Sequence, residues 1–126
     1  MTPVPTVPDV KAVVMALLGT ALDCPVLSPR PAPEQMPERC VVVITTGGTG
    51  RVQRALTRAQ ITIDAYAPST GTAVALALAV DRHVHAMPAQ AGPVAAVEGT
   101  YPASLPDPVT AAHRATATYT ITAHLL

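Results

Sequence analysis

Phenylalanine and tryptophan are missing from this 126-residue chain, and tyrosine occurs only three times. A core must therefore be assembled from Val, Ile, Leu and Ala, each of which buries less surface than an aromatic ring. At ~25 cal/mol per Å² of buried apolar surface, a subunit built this way is expected to be marginal alone, with partner subunits supplying the missing burial. Lysine is reduced to Lys11, and eight basic side chains cancel eight acidic ones. A neutral chain has no field to draw it onto nucleic acid or an anionic bilayer. No apolar run is long enough to span a membrane, and the opening MTPVPTVPD has neither a basic region nor a cleavage-like segment. A soluble, intracellular protein is the expectation. Cysteine is limited to Cys24 and Cys40, which without export signals read as two buried thiols.

What is plentiful is proline, 14 residues concentrated at 3–8, 25–37 and 102–108, where it marks tethers and corners. Residues 1–8 are predicted to be a flexible, extended arm, and residues 9–126 a single domain. Asp9 to Leu22 reads as a helix with Val10, Val13, Val14, Leu17, Leu18 and Ala21 on one face, Thr6 as cap and Pro8 in the first turn. Pro25 to Ser28 suggests a short strand, and the following PRPAPEQMPE is too proline-rich for regular structure. Arg39 to Thr46 is apolar on both faces and is expected to lie centrally in a sheet. GGTG at 47–50 is read as the turn that follows it.

Gln60 to Tyr66 alternates, placing Ile61, Ile63 and Ala65 inward and Gln60, Thr62, Asp64 and Tyr66 outward. Thr72 to Ala86 is a second helix with Leu76, Val80, Val84, Ala73, Ala77 and Met87 inward. Val74 and Leu78 fall off that stripe, and a helix apolar nearly all round is buried on more than one side. Val74, Leu78 and Arg82 are therefore expected at a subunit interface. Val94 to Tyr101 and Ala112 to Leu125 close the sheet. In the last strand Ala115, Ala117, Tyr119, Ile121, Ala123 and Leu125 face one way, and Arg114, Thr116, Thr118, Thr120, Thr122 and His124 the other. The order describes an α+β domain: a mostly antiparallel or mixed sheet of four to five strands, with two helices on one face.

The chemical motifs are few. A glycine loop after a strand can cradle phosphate, but ITTGGTG matches neither a Walker motif nor GxGxxG. TTGGTG with Arg54 and Thr57 resembles the loop of the molybdopterin-binding proteins of molybdenum cofactor synthesis. Ala55 stands where that family is acidic, and a strand follows at Gln60 where it requires a long helix. His83 and His85 diverge by about 200° on a helix, and His113 and His124 fall on opposite faces of a strand, so no metal site is expected. Ser28, Ser69 and Ser104 lack a GxSxG context. Arg51, Arg54 and Arg58, just beyond Gly47, Gly48 and Gly50, admit two readings: a solvated hairpin tip that keeps sheet edges from pairing, or a basic finger reaching an acidic partner or passing DNA.

Taken in order, several segments resemble one family. They are the PDVKAVVMALL helix, the PRPAPEQMPERCVVVITTGG loop and strand, ITIDAYAPST, AVALALAVDRHVHAMP, GPVAAVEGTYPASLPDP and the ending RATATYTITAHLL. Together these are similar to the tail terminator proteins of long-tailed, siphovirus-type bacteriophages, with Cys40 standing where that family usually has an aromatic and Tyr66 where it often has Trp. The resemblance implies a non-enzymatic virion protein without cofactor, six copies of which close into a ring. Such a ring caps the tail tube, stops its polymerisation and meets the head-side connector or stopper, touching passing genomic DNA loosely if at all. It would be assembled in the host cytoplasm and reside at the head-proximal end of the tail. Another head–tail connector or tail-completion subunit is the alternative, and a small phosphate-ligand enzyme using the glycine turn the remote one.

Overall fold

A computed structural model describes residues 4–52, 55–90 and 92–126. Helices α1 (Val10–Ala21), α2 (Thr70–His85) and the single turn α3 (Met87–Gln90) accompany strands β1 (Val26–Leu27), β2 (Cys40–Val52), β3 (Leu56–Tyr66), β4 (Val94–Gly99), β5 (Ala103–Ser104) and β6 (Arg114–His124). The sheet runs β1-β2-β3-β6-β4, with β5 also on β6. The α+β architecture expected from the sequence is the one observed. The sheet is mixed only because β1 lies parallel to β2, and two of its six strands are two residues long.

Both main helices begin where side chains satisfy their free N–H groups. Asp9, not Thr6, caps α1 by accepting from the Ala12 N–H at 3.1 Å. Ser69 and Thr72 cap α2 reciprocally, each hydroxyl accepting from the other's backbone N–H at 3.2 and 3.1 Å. Against the helices pack Val41, Val43, Ile61, Ile63, Ala65 and the odd-numbered face of β6. The α2 stripe is buried as expected, from Ala73 through Val84 and on to Met87. Gly99 opposes Tyr119, and any Cβ there would run into the Tyr119 ring, so a glycine lets β4 lie over that aromatic. The Tyr119 hydroxyl reaches Asp81 at 2.8 Å, and burial followed by that carboxylate pushes the phenol far above its usual range.

Three expectations need correction. The glycines do not turn the chain: β2 continues through Gly47, Gly48 and Gly50, and Val52 pairs with Leu56, so the two strands are still paired beyond the glycines. The glycines instead make two register shifts, after Thr45 and after Gly47, in which β2 carries extra residues against β3. Second, β3 begins at Leu56 and pairs with β6 without a break from Leu56–His124 to Tyr66–Arg114. Third, Asp64 and Tyr66 do point away from the helices, yet both are buried, because Arg30 and Met36 of the proline-rich segment 28–38, together with Asp107 and Ala112, fold over that end of the sheet.

The thiols lie on opposite faces: Cys24 is half-buried against the helix-side core, and Cys40 is fully buried on the other side with Val42 and Tyr66. Both are free. The arm is tied down at Thr6, which exchanges two 2.8 Å backbone hydrogen bonds with Leu126.

Candidate interaction surface

The face of the sheet away from the helices is divided. At one end, segment 28–38 covers Cys40, Val42 and Tyr66. At the other, the even-numbered side chains of β3 and β6 stay open. Strand register brings Thr62 opposite Thr118, Gln60 opposite Thr120 and Arg58 opposite Thr122, while Glu98 of β4 lies beside Thr120. Thr62 and Thr118 share a hydroxyl–hydroxyl hydrogen bond of 3.0 Å. Gly48, Thr49, Arg58, Gln60, Glu98 and Thr120 line a groove of about 510 Å³ over this half. One guanidinium and one carboxylate face it, so the groove is polar and close to neutral.

The residues singled out in the sequence are distributed unevenly. Gly48 and Arg58 share the groove. Gly48 has φ +114°, and a Cβ there would lie 2.7 Å from the Arg58 carbonyl oxygen and 2.8 Å from the Gln60 nitrogen. The bulge therefore presses glycine backbone directly onto β3. Gly47 and Gly50 are also at positive φ, with open space where a Cβ would stand. Arg51 leaves the groove and donates to the Pro5 carbonyl at 2.7 Å, holding the arm. Arg54 lies outside the described residues. On α2, Leu78 is 39% exposed and Arg82 is exposed, but Val74 is half-buried and packs against the core.

Sequence reasoning missed a polar cluster at the covered end. Arg30 reaches the Oδ2 atoms of Asp64 and Asp107 at 3.1 and 3.6 Å, and Arg114 approaches Asp64 at 3.7 Å. Tyr66 donates to Asp107 at 2.8 Å, and the other Asp107 oxygen accepts the Val109 and Thr110 N–H groups at 2.8 and 3.2 Å. Burial pushes the Asp107 carboxyl upward, but the Val109 N–H, Tyr66, the Thr110 N–H and Arg30 together outweigh it and hold the group below its ordinary value. The available signal was the Asp between prolines at 106–108, a residue whose side chain commonly closes a turn onto its own backbone. Among the described residues no buried side-chain N or O lacks a partner, and no group of three His, Cys, Asp or Glu side chains is placed to hold a metal ion.

A second surface is apolar. Two of the three tyrosines are buried, whereas Tyr101 is 79% exposed and is followed along the same segment by Leu105 and Val109, 51% and 77% exposed. Compared with known proteins, the chain matches no family model and no curated protein. No helix among the described residues is long and apolar enough to cross a membrane.

Proposed function

We propose that this protein is a structural, non-enzymatic virion subunit, a tail terminator whose copies close into a ring, capping the tail tube and joining it to the head-side connector. The observation that carries this reading is the distribution of apolar surface. A chain with so few aromatics leaves one of its three tyrosines, two further large apolar side chains of the same segment and Leu78 of α2 exposed. Large apolar side chains left exposed on one segment mark a candidate site of association. Head-to-tail contacts between unlike patches close into a ring when the rotation allows. The open threonine face supports the same reading, since a neutral, hydroxyl-lined wall suits a lumen through which DNA passes without strong attachment.

Light scattering of the purified protein, alone and with tail tubes, tests this directly, with negative-stain images of tube ends. A mass six times that of the subunit and density capping one tube end are expected. A monomer that leaves tubes uncapped and elongating overturns the reading, and a ring that binds heads but ignores tubes transfers it to a connector subunit.

A further inference from the structure

Segment 28–38 covers part of the second apolar cluster, yet among the described residues none of its backbone groups hydrogen-bonds to backbone elsewhere in the protein. Its backbone hydrogen bonds close on itself, Gln35 to Ala32 and Met36 to Pro33. What fastens it is side-chain contact: Arg30 on Asp64 and Asp107, and Met36 against Cys40, whose thiol also reaches the Pro37 carbonyl at 3.7 Å. Two pockets open to solvent border the segment. One, of about 300 Å³, is lined by Pro33, Met36, Pro37, Tyr66 and Ala112 among others. A second, of about 220 Å³, lies between Arg30, Pro31, Met36, Asp107 and Val109.

We infer that residues 28–38 form a strap latched to the sheet by Arg30, which opens as a local unit and uncovers Cys40, Val42 and Tyr66 while the sheet stays folded. The anchors on either side of the strap are firm. β1 pairs with β2 immediately before it, and β2 enters the central sheet immediately after. Within the strap, proline removes backbone donors and leaves little to bond the sheet. Arg30 lies on the strap, whereas Asp64, Asp107, Tyr66 and Arg114 all lie on the body it covers. Losing Arg30 therefore releases the strap without removing any group from the body. Local opening of this kind is drawn from the parts of a fold with few buried contacts and few backbone bonds.

Cys40 is the reporter, since it is fully buried beneath the strap. In a Cys24→Ser background it is the sole thiol, and its rate of modification by a maleimide reads the population of the open strap. Arg30→Ala is expected to label at least tenfold faster than the parent, and Arg30→Lys to recover most of the protection. The parent's rate is expected to be flat at low urea, as local opening exposes little surface, before global unfolding takes over at higher urea. Labelling of Arg30→Ala at the parent rate, or a full unfolding slope from zero urea in the parent, would overturn the strap. The urea dependence of the parent decides the matter even if Arg30→Ala fails to fold.

Discussion

Replacing the three glycines of the β2 bulges by alanine, one at a time, separates two physical effects that sequence cannot distinguish. Gly50 has φ +70°, close to the left-handed helical region, and a Cβ would meet nothing within 4 Å. Alanine there costs roughly 1–2 kcal/mol for the left-handed conformation, offset by about 0.4–1 kcal/mol from a stiffer unfolded chain. Gly47, at φ +104°, is equally unobstructed but lies in a region essentially reserved for glycine. Its strain is of order 1–3 kcal/mol before the same offset. Gly48 carries the same kind of strain at φ +114° and adds a collision with β3 backbone at 2.7 and 2.8 Å. Backbone cannot rotate aside like a side chain, so the bulge must open and β2 must leave its register. A loss above about 3 kcal/mol is expected, in the range reserved for a few severe mechanisms. Denaturant midpoints at constant slope measure all three. The predicted order of loss is Gly48 greatest, then Gly47, then Gly50. Equal losses at Gly48 and Gly47 would show that β3 does not lie against the glycine and would refute the bulge geometry.

Leu78→Asp places a charge on an exposed part of α2 and should leave the subunit folded while abolishing the proposed ring; an unchanged oligomeric mass would remove Leu78 from the proposed interface. Val74→Asp is a different experiment, because Val74 packs on the core, and about 1–3 kcal/mol of subunit stability should be lost with it. Burial, reinforced by nearby Cys24, raises the Cys40 thiol to about 11 from 9.0, and burial with Asp107 raises Tyr66 to about 12 from 10.0. Both groups hold their protons longer folded than unfolded, so their contribution to stability should be level from neutral pH to about pH 9 and fall as pH rises through 9 to 11. Denaturant midpoints that stay flat across that window would contradict the buried placement of Cys40. Replacing Arg51, Arg54 and Arg58 together by alanine should leave the sheet intact and weaken attachment to tails or heads, and normal virion yields would make those arginines merely solvating.

Much of this fold was legible because periodicity reports faces directly. The α2 stripe of Leu76, Val80 and Val84 and the alternation of β6 from Ala115 to Ala123 depend only on which side chains recur at 3.6 or 2 residues, and burial follows both. Periodicity does not say what lies above a face. Asp64 and Tyr66 have the spacing of solvent-facing residues, and Arg30 that covers them is 34 residues distant from Asp64 in the chain. Nor does glycine distinguish a reversal from a bulge, since both need positive φ. Between the paired residues Val52 and Leu56 the sequence has neither glycine nor proline, so nothing there competed with GGTG as the expected turn. For the candidate surface, the sequence identified Gly48 and Arg58 but not Glu98, whose position opposite Thr120 depends on the pairing of β4 with β6.

The two halves of the outer face are held by opposite means, and this bears on what each can do. At the covered end, two buried carboxylates and two arginines satisfy one another, and Asp107 depends on Arg30 alone for its ion pair. That end is built for a fixed or latched arrangement. At the open end, threonine hydroxyls bond across strands and to water with equal ease, and one Arg and one Glu cancel. A surface of that composition gains little from any particular ligand and loses little when water replaces it. Tight DNA binding needs many phosphates neutralised at once, which a single guanidinium per subunit, offset by a glutamate beside it, cannot supply. If copies line a pore with this face, they would contact DNA while letting it slide, and the salt dependence of any residual binding would be shallow.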